Sequence, residues 1–207
     1  MRILIFGATG RTGNEAIEQA LKRGHTLTAF ARDPSKLHLQ SVRVVKGDVT
    51  EPKAVSSAMK GQDAVLCLLG QRSPFKRDPR LTIGVRNILR AMQDHDVRRM
   101  VNLSFAGVHD GRRKAGPLLN WVMVPLLHAV VADHEDREAW IEASTVDWTM
   151  VRPVMLTNGP HTAEYRYGKH INPKALVPSV SRADVADLML RVLDDHSTFH
   201  KGLQVMH

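Results

Sequence analysis

A run of aliphatic residues that breaks into three evenly spaced glycines opens the chain: Met1-Arg-Ile-Leu-Ile-Phe-Gly-Ala-Thr-Gly-Arg-Thr-Gly13. Ile3 to Phe6 are short and apolar enough to form a strand buried on both faces. After Gly13 the residues Ala16, Ile17, Ala20 and Leu21 recur at helical spacing, and Gly24 closes the pattern. A strand that turns into a helix through glycines leaves backbone N–H groups and the positive helix end facing an anion. Without side chains in the way, a pyrophosphate can approach the main chain, and Gly13 lets helix and strand pack closely. The spacing is G-x-x-G-x-x-G, a variant of the dinucleotide fingerprint. A glycine-rich turn without a ligand is the competing reading, and the flanking strand and helix weigh against it.

The rest of the chain repeats the alternation. The first helix is predicted over about Asn14 to Arg23, and a second strand over Thr26 to Phe30. Val42 to Val45 make a third strand, which leaves through Gly47-Asp48-Val49. Thr50 is the expected cap of a helix with Pro52 in its first turn, Ala54, Val55, Ala58 and Met59 inward, and Gly61 at its close. Ala64 to Leu69 is unbroken apolar sequence, as a central parallel strand requires. A helix over about Leu81 to His95 is expected to bury Ile83, Ile88, Leu89 and Met92, and Met100 to Ser104 form strand five. Trp148 to Val151 supply a sixth strand, and Gly202 to Met206 a last one. Between those two, Ser181 with Asp184 three residues on starts a helix that turns Val185, Leu188, Met189 and Val192 inward.

This pattern predicts an α/β fold over 1–207, a Rossmann-like doubly wound parallel sheet with helices on both faces and a small C-terminal elaboration. Ligands of such sheets bind beyond the carboxyl ends of the strands. The chemistry is therefore expected from Gly7–Gly13, Arg32, Asp48, Gly70–Arg72 and Ser104.

Composition narrows the function. With 207 residues and an apolar fraction of 43%, the chain suits one globular domain. No stretch is long and apolar enough to span a bilayer, and the opening strand lacks the pattern of a signal peptide. The lone cysteine, Cys67, lies in an apolar run and reads as core, with a reducing cytoplasm as the expected compartment. A formal charge of +8 raises nucleic-acid binding, but the basic residues are scattered and Arg112-Arg113-Lys114 is the densest cluster. An anionic cofactor and an anionic substrate explain a basic mouth more economically, so no nucleic-acid partner is expected.

The end of strand two discriminates between cofactors. An NAD site places a carboxylate there for the ribose hydroxyls, whereas a 2′-phosphate wants a cation. This chain reads Phe30-Ala-Arg-Asp-Pro-Ser-Lys36, with Arg32 at the deciding position and Lys36 one turn on. A bidentate Arg–phosphate contact contributes about 1.5–3 kcal/mol, so NADP(H) is expected over NAD(H). Asp33 competes with that reading, its alternative role being to cap the short helix that Pro34 opens. Asp48 can accept from the adenine amino group with Val49 against the ring, or serve only the turn.

Gly7-Ala-Thr-Gly-Arg-Thr-Gly13, Ala31-Arg-Asp-Pro-Ser-Lys36, Gly47-Asp-Val49, Gly61-Gln-Asp-Ala-Val65, Leu68-Leu-Gly-Gln-Arg72 and Gly84-Val-Arg-Asn-Ile88 together resemble the atypical short-chain dehydrogenase/reductases. That group includes the NAD(P)-binding NmrA-like proteins, and the likeness is greatest to the biliverdin-IXβ reductase/NADPH-flavin reductase family. Trp148-Thr-Met-Val-Arg-Pro153 and Ser181-Arg-Ala-Asp-Val-Ala186 extend it from Arg2 to about Asp195, and it is poorest over 105–130 and 155–178, where substrate would be chosen. The resemblance implies that Gly7, Thr9, Gly10, Arg11, Thr12 and Gly13 meet the phosphates. It implies Arg32 and Lys36 for the 2′-phosphate, Asp48 and Val49 for adenine, and Leu68, Leu69, Gly70 and Arg72 for the nicotinamide side. Ser104 would face the nicotinamide and orient the substrate, and Pro153 would border that pocket.

Typical short-chain reductases use a Tyr and a Lys four residues apart on the helix after strand five. Here that helix holds Asp133-His-Glu-Asp-Arg-Glu138 and no Tyr. Tyr165-Arg-Tyr-Gly-Lys169 has the spacing but follows strand six, is interrupted by Gly168 and alternates like a strand, so a strand that contributes Tyr165 to a pocket wall is expected rather than a catalytic pair. His134 is the candidate proton donor, with a structural role as the alternative. No histidine pair has metal spacing, and no metal is expected. The apolar segment 118–131 reads as core, pocket lid or oligomer contact. With no strong acid, the chemistry that fits is hydride transfer to a planar acceptor such as a flavin or quinone, which stabilises the added electrons itself. The alternatives are an NmrA-like NADP sensor without turnover and an extended-type epimerase or dehydratase, in a monomer or small homo-oligomer.

Overall fold

The structure is a computed structural model that describes residues 1–37, 41–71, 73, 76–109 and 127–207, without the side chain of Lys36. Strands β1 (Arg2–Phe6), β2 (Thr26–Ala31), β3 (Arg43–Lys46), β4 (Ala64–Cys67), β5 (Arg99–Leu103) and β6 (Asp147–Pro153) alternate with helices α1 (Arg11–Lys22), α2 (Pro52–Met59), α3 (Pro79–Asp94) and α4 (His128–Glu142). Three short strands follow, β7 (Met155–Thr157), β8 (Arg166–Gly168) and β9 (Ser179–Ser181), then α5 (Arg182–Arg191) and β10 (Lys201–Met206).

The main sheet has the order β3-β2-β1-β4-β5-β6-β10-β8 and is parallel except for the edge strand β8, which runs against β10. Strand β7 pairs with β9 in a separate parallel ribbon beyond the end of β6. Side chains of β1 alternate between two cores. Ile3 and Ile5 join Ile17, Ala20, Leu188 and Met189 of α1 and α5, whereas Leu4 and Phe6 join Val55, Met59, Ile88 and Ile141 of α2, α3 and α4. The expected doubly wound sheet is therefore what forms. The strand order reverses between β1 and β4, and the glycine turn after β1 sits at that switch point.

Several local expectations need correction. Helix α1 begins at Arg11 rather than Asn14, because Gly10 is extended (φ −77°) and serves as N-cap. Thr50 does not cap α2; Glu51 holds that place, and the Thr50 hydroxyl bonds Asp48 instead. Ile83 is 44% exposed, because the face of α3 that meets α2 and the sheet is set by Leu81, Val85, Ile88 and Met92. The Ser181 cap forms as read, accepting from the Asp184 amide at 2.9 Å.

Candidate functional site

A cavity of about 500 Å³ opens at the carboxyl edge of the sheet. Its floor is the glycine loop. Gly7 lies at φ +82°, and a Cβ there would strike the Leu68 carbonyl; one on Gly13 would strike the carbonyls of Gly7 and Ala8. These two glycines are thus demanded by the close approach of the loop to β4 and to its own helix. The Gly10 amide donates to the Gly7 carbonyl at 3.0 Å and Asn14 to Gly10 at 2.9 Å. The amides of Arg11, Thr12 and Gly13 meet no carbonyl among the described residues, and the first turn of α1 carries no acid. Gly7, Thr9, Gly10, Arg11, Thr12 and Gly13 all line the cavity, and this cradle fits the pyrophosphate of a dinucleotide.

At one end the cavity wall is built by Arg32, Asp48 and Val49. Arg32 is exposed. Asp33 accepts from the Ser35 amide at 3.2 Å and its hydroxyl at 2.6 Å, the capping role weighed against a ribose contact. Lys36 ends the 3₁₀ turn, and its side chain lies outside the described residues. Asp48 Oδ1 accepts from the Thr50 amide (3.0 Å) and hydroxyl (2.7 Å), while Arg80 Nη2 donates to Oδ2 at 2.6 Å. Burial raises the Asp48 pKa, but the Thr50 bonds and the charges of Arg80 and Arg32 outweigh it and hold the carboxyl below its usual range. Val49 is fixed from behind, its carbonyl accepting from Asn87 at 2.9 Å while α3 packs onto it through Gly84.

Arg80, a cavity residue absent from the sequence reading, owes its place to the start of α3. Asp78 accepts from the Arg80 amide at 3.2 Å as N-cap, and Pro79 opens the helix. An arginine in the first turn of the helix after strand four was the legible signal.

Toward the other end lie Leu68, Leu69, Gly70, Leu103 and Leu156. The Leu69 carbonyl accepts from Arg137 Nη1 at 2.8 Å, and Arg137 Nη2 has no hydrogen-bond partner among the described residues although the side chain is buried. Asp133, 1% exposed, draws in the loop after β4 by accepting from the Gln71 side chain, from Arg77 Nε at 2.9 Å and from the Asp78 amide at 2.6 Å. Arg72 lies outside the described residues, as do 118–126 of the apolar segment; 127–131 lead into α4.

Ser104, His134 and Pro153 do not line this cavity. Ser104 is buried beyond the end of β5, and its hydroxyl lies 3.3 Å from His134 Nδ1, with the tautomer deciding which atom donates. Burial holds the His134 imidazole well below its ordinary pKa, and the Arg137 guanidinium adds to that. The ring is therefore neutral at pH 7. The Pro153 carbonyl accepts from the Ala106 amide at 2.9 Å, joining β6 to the turn after β5. Tyr165 is elsewhere: its hydroxyl donates to Asp187 of α5, and burial with that bond drives its pKa up, so it holds no acid for the cavity.

The fold gathers one cluster that sequence spacing does not disclose, His109, Glu138 and Glu142, with ligand atoms within 4.8 Å of one another. Arg152 already donates to Glu138 at 3.0 and 2.5 Å, and His109 Nε2 lies 3.0 Å from the same carboxylate. A guanidinium in the cluster makes it an ion-pair network between α4, β6 and the turn after β5.

Comparison with known proteins then decides the family. A model of the NAD(P)H-binding family matches residues 7–196. The chain belongs to that family. The uncharacterized protein YwnB of Bacillus subtilis is 28% identical over 200 residues, covering 94% of this chain and 92% of YwnB. ChuY, an anaerobillin reductase from Escherichia coli O157:H7, has TM-score 0.83 at 21% identity, covering 99% of this chain and 96% of its own. A wide-type short-chain dehydrogenase/reductase from Veillonella parvula, in complex with NADP, has TM-score 0.79 at 20% identity, covering 100% of this chain and 94% of that one. These structures share the fold, as the resemblance to the atypical short-chain dehydrogenase/reductases implied. No helix among the described residues is long and apolar enough to cross a membrane.

Proposed function

We propose that the protein is an NADPH-dependent reductase that delivers hydride to a planar acceptor such as a flavin or quinone. The observation that carries this reading is the contrast along the cavity: amides and arginines at the glycine-loop end, then the leucines Leu68, Leu69, Leu103 and Leu156, while the carboxylates among the described lining residues, Asp48 and Asp78, are engaged by Arg80 and by the cap of α3. When bound, the dinucleotide supplies a hydride from its reduced nicotinamide. Gly7 to Gly13 hold the pyrophosphate, Arg32 favours the 2′-phosphate, and Asp48 with Val49 receives the adenine. The leucines exclude water and present a flat apolar wall to the acceptor. The Ser104–His134 pair is buried off the cavity wall and its imidazole is neutral at pH 7, so the acceptor takes its proton from water. Acceptors that delocalise the added electron pair tolerate this; simple ketones and sugars, which need a proton donor, do not. The same lack of a strong acid supports a second reading, an NADP-binding sensor that does not turn over.

Stopped-flow mixing of the NADPH-loaded protein with flavins and quinones tests the choice. Oxidation of NADPH that depends on acceptor concentration is expected. Tight binding with no oxidation across a broad panel would leave the sensor.

A further inference from the structure

Arg11 is the first residue of α1 and Arg182 the first of α5, and both line the cavity. They come from different halves of the chain. Arg11 follows the glycine loop, whereas Arg182 is held to the end of the β7 strand, its Nη1 donating to Asn158 Oδ1 at 2.7 Å and to the Leu156 carbonyl at 3.4 Å. Leu156 is itself part of the cavity wall, so Arg182 belongs to the side where the acceptor must enter. Burial lowers the Arg182 pKa, and the Arg11 guanidinium lowers it further, so the two charges feel each other.

Like charges held together oppose folding unless something neutralises them. The carboxylates among the described lining residues are Asp48 and Asp78, and neither serves this pair. Asp48 is bonded to Arg80 and Thr50, and Asp78 caps α3. The cofactor's pyrophosphate has its own donors in the amides of Arg11, Thr12 and Gly13, left open by the loop. A pair of guanidiniums is thus left over, fixed in direction on the acceptor side by two neutral oxygens.

We propose that Arg11 and Arg182 receive an acidic arm, a carboxylate or phosphate, carried by the hydride acceptor, so that the acceptor is a planar anion rather than a neutral quinone. The word acceptor rests on the reductase reading; the anion site does not, and binding alone tests it.

FMN and riboflavin share one ring system and differ by a phosphate. Titration calorimetry on the full chain saturated with NADP+ is expected to give FMN about tenfold tighter binding than riboflavin. In Arg182→Ala that ratio falls to about one, in Arg11→Ala it narrows, and Arg182→Lys keeps part of it as a point charge without the planar fork. Equal affinity for the two flavins in the unaltered protein, no binding of either, or a preference that survives both alanine variants overturns the proposal. So does a tenfold loss of NADP+ affinity in Arg182→Ala with the flavin ratio intact, which would give the pair to the cofactor's pyrophosphate. NADPH oxidation is followed separately on the same samples. Phosphate-dependent FMN binding without any oxidation would end the reductase reading and leave the anion site standing.

Discussion

Arginines stand at both ends of the parallel sheet, and the two ends treat them in opposite ways. At the amino edge Arg99 opens β5 and is 6% exposed. It donates to the carbonyls of Leu193, Met100, Asp147 and Val192 and to the Thr149 hydroxyl, at 2.6 to 3.2 Å, and lies 4.4 Å from the Phe199 ring centre. Val192 and Leu193 close α5, so the cation meets the negative end of that helix. Burial draws its pKa down to about 10, and the guanidinium stays charged at neutral pH. At the carboxyl edge, Arg11 and Arg32 line the cavity, and their side chains make no hydrogen bond or ion pair among the described residues. One edge is finished by the chain itself; the other is completed by a ligand. Polar groups that are saturated hold the fold, and polar groups left open with a backbone fixed around them mark where function lies.

If that contrast is right, Arg99→Ala should cost the most, about 3–5 kcal/mol, because several buried carbonyls lose their donor together. Urea denaturation measures it, and a midpoint within error of the unaltered protein would erase the distinction between the two edges. Gly13→Ala comes next. Its methyl would meet the carbonyls of Gly7 and Ala8, so the cradle must deform and NADPH affinity should drop by roughly a hundredfold in calorimetry.

Asp184 probes a saturated network at the start of α5, where His207 is tied down. Its carboxylate accepts from the amides of Thr162 and Ala163 (2.8 Å each), the Thr162 and Ser181 hydroxyls (3.0 and 2.8 Å) and His207 Nε2 (2.9 Å). Burial raises its pKa, but these bonds prevail and hold it far below the usual range. The stabilisation is therefore complete above the unfolded value of about 4 and disappears as pH falls below it. Asp184→Asn should lose about 2 kcal/mol at pH 7 and less at pH 3, read from melting temperatures across that range. A constant loss at every pH would refute the charge assignment.

Smaller effects are expected on the open edge. Arg32→Ala should weaken NADPH binding about tenfold while NADH binding changes little. Equal losses would remove the 2′-phosphate from Arg32. Arg80→Ala should change either affinity only a few-fold, since its ion pair with Asp48 is more than half exposed on the arginine side. A large loss there would instead make Arg80 a principal anchor.

Sequence alone determined the layered sheet, the glycine turn and the cation after β2. Each is local: strand and helix periods are written in consecutive residues, and Gly7 and Gly13 answer to backbone geometry within one turn. It did not determine which side chains meet. Arg80 reaches Asp48 from 32 residues away and Ser104 meets His134 across 30, while Arg182 joins Arg11 only because α5 folds back against α1. Short strands β7 and β9 escaped notice because pairing, not propensity, creates them. Tertiary structure also decided that Ile83 faces outward and that Tyr165 is spent on Asp187. A hydrogen-bond partner or a buried face is chosen by three-dimensional packing, and no window of neighbouring residues contains that choice.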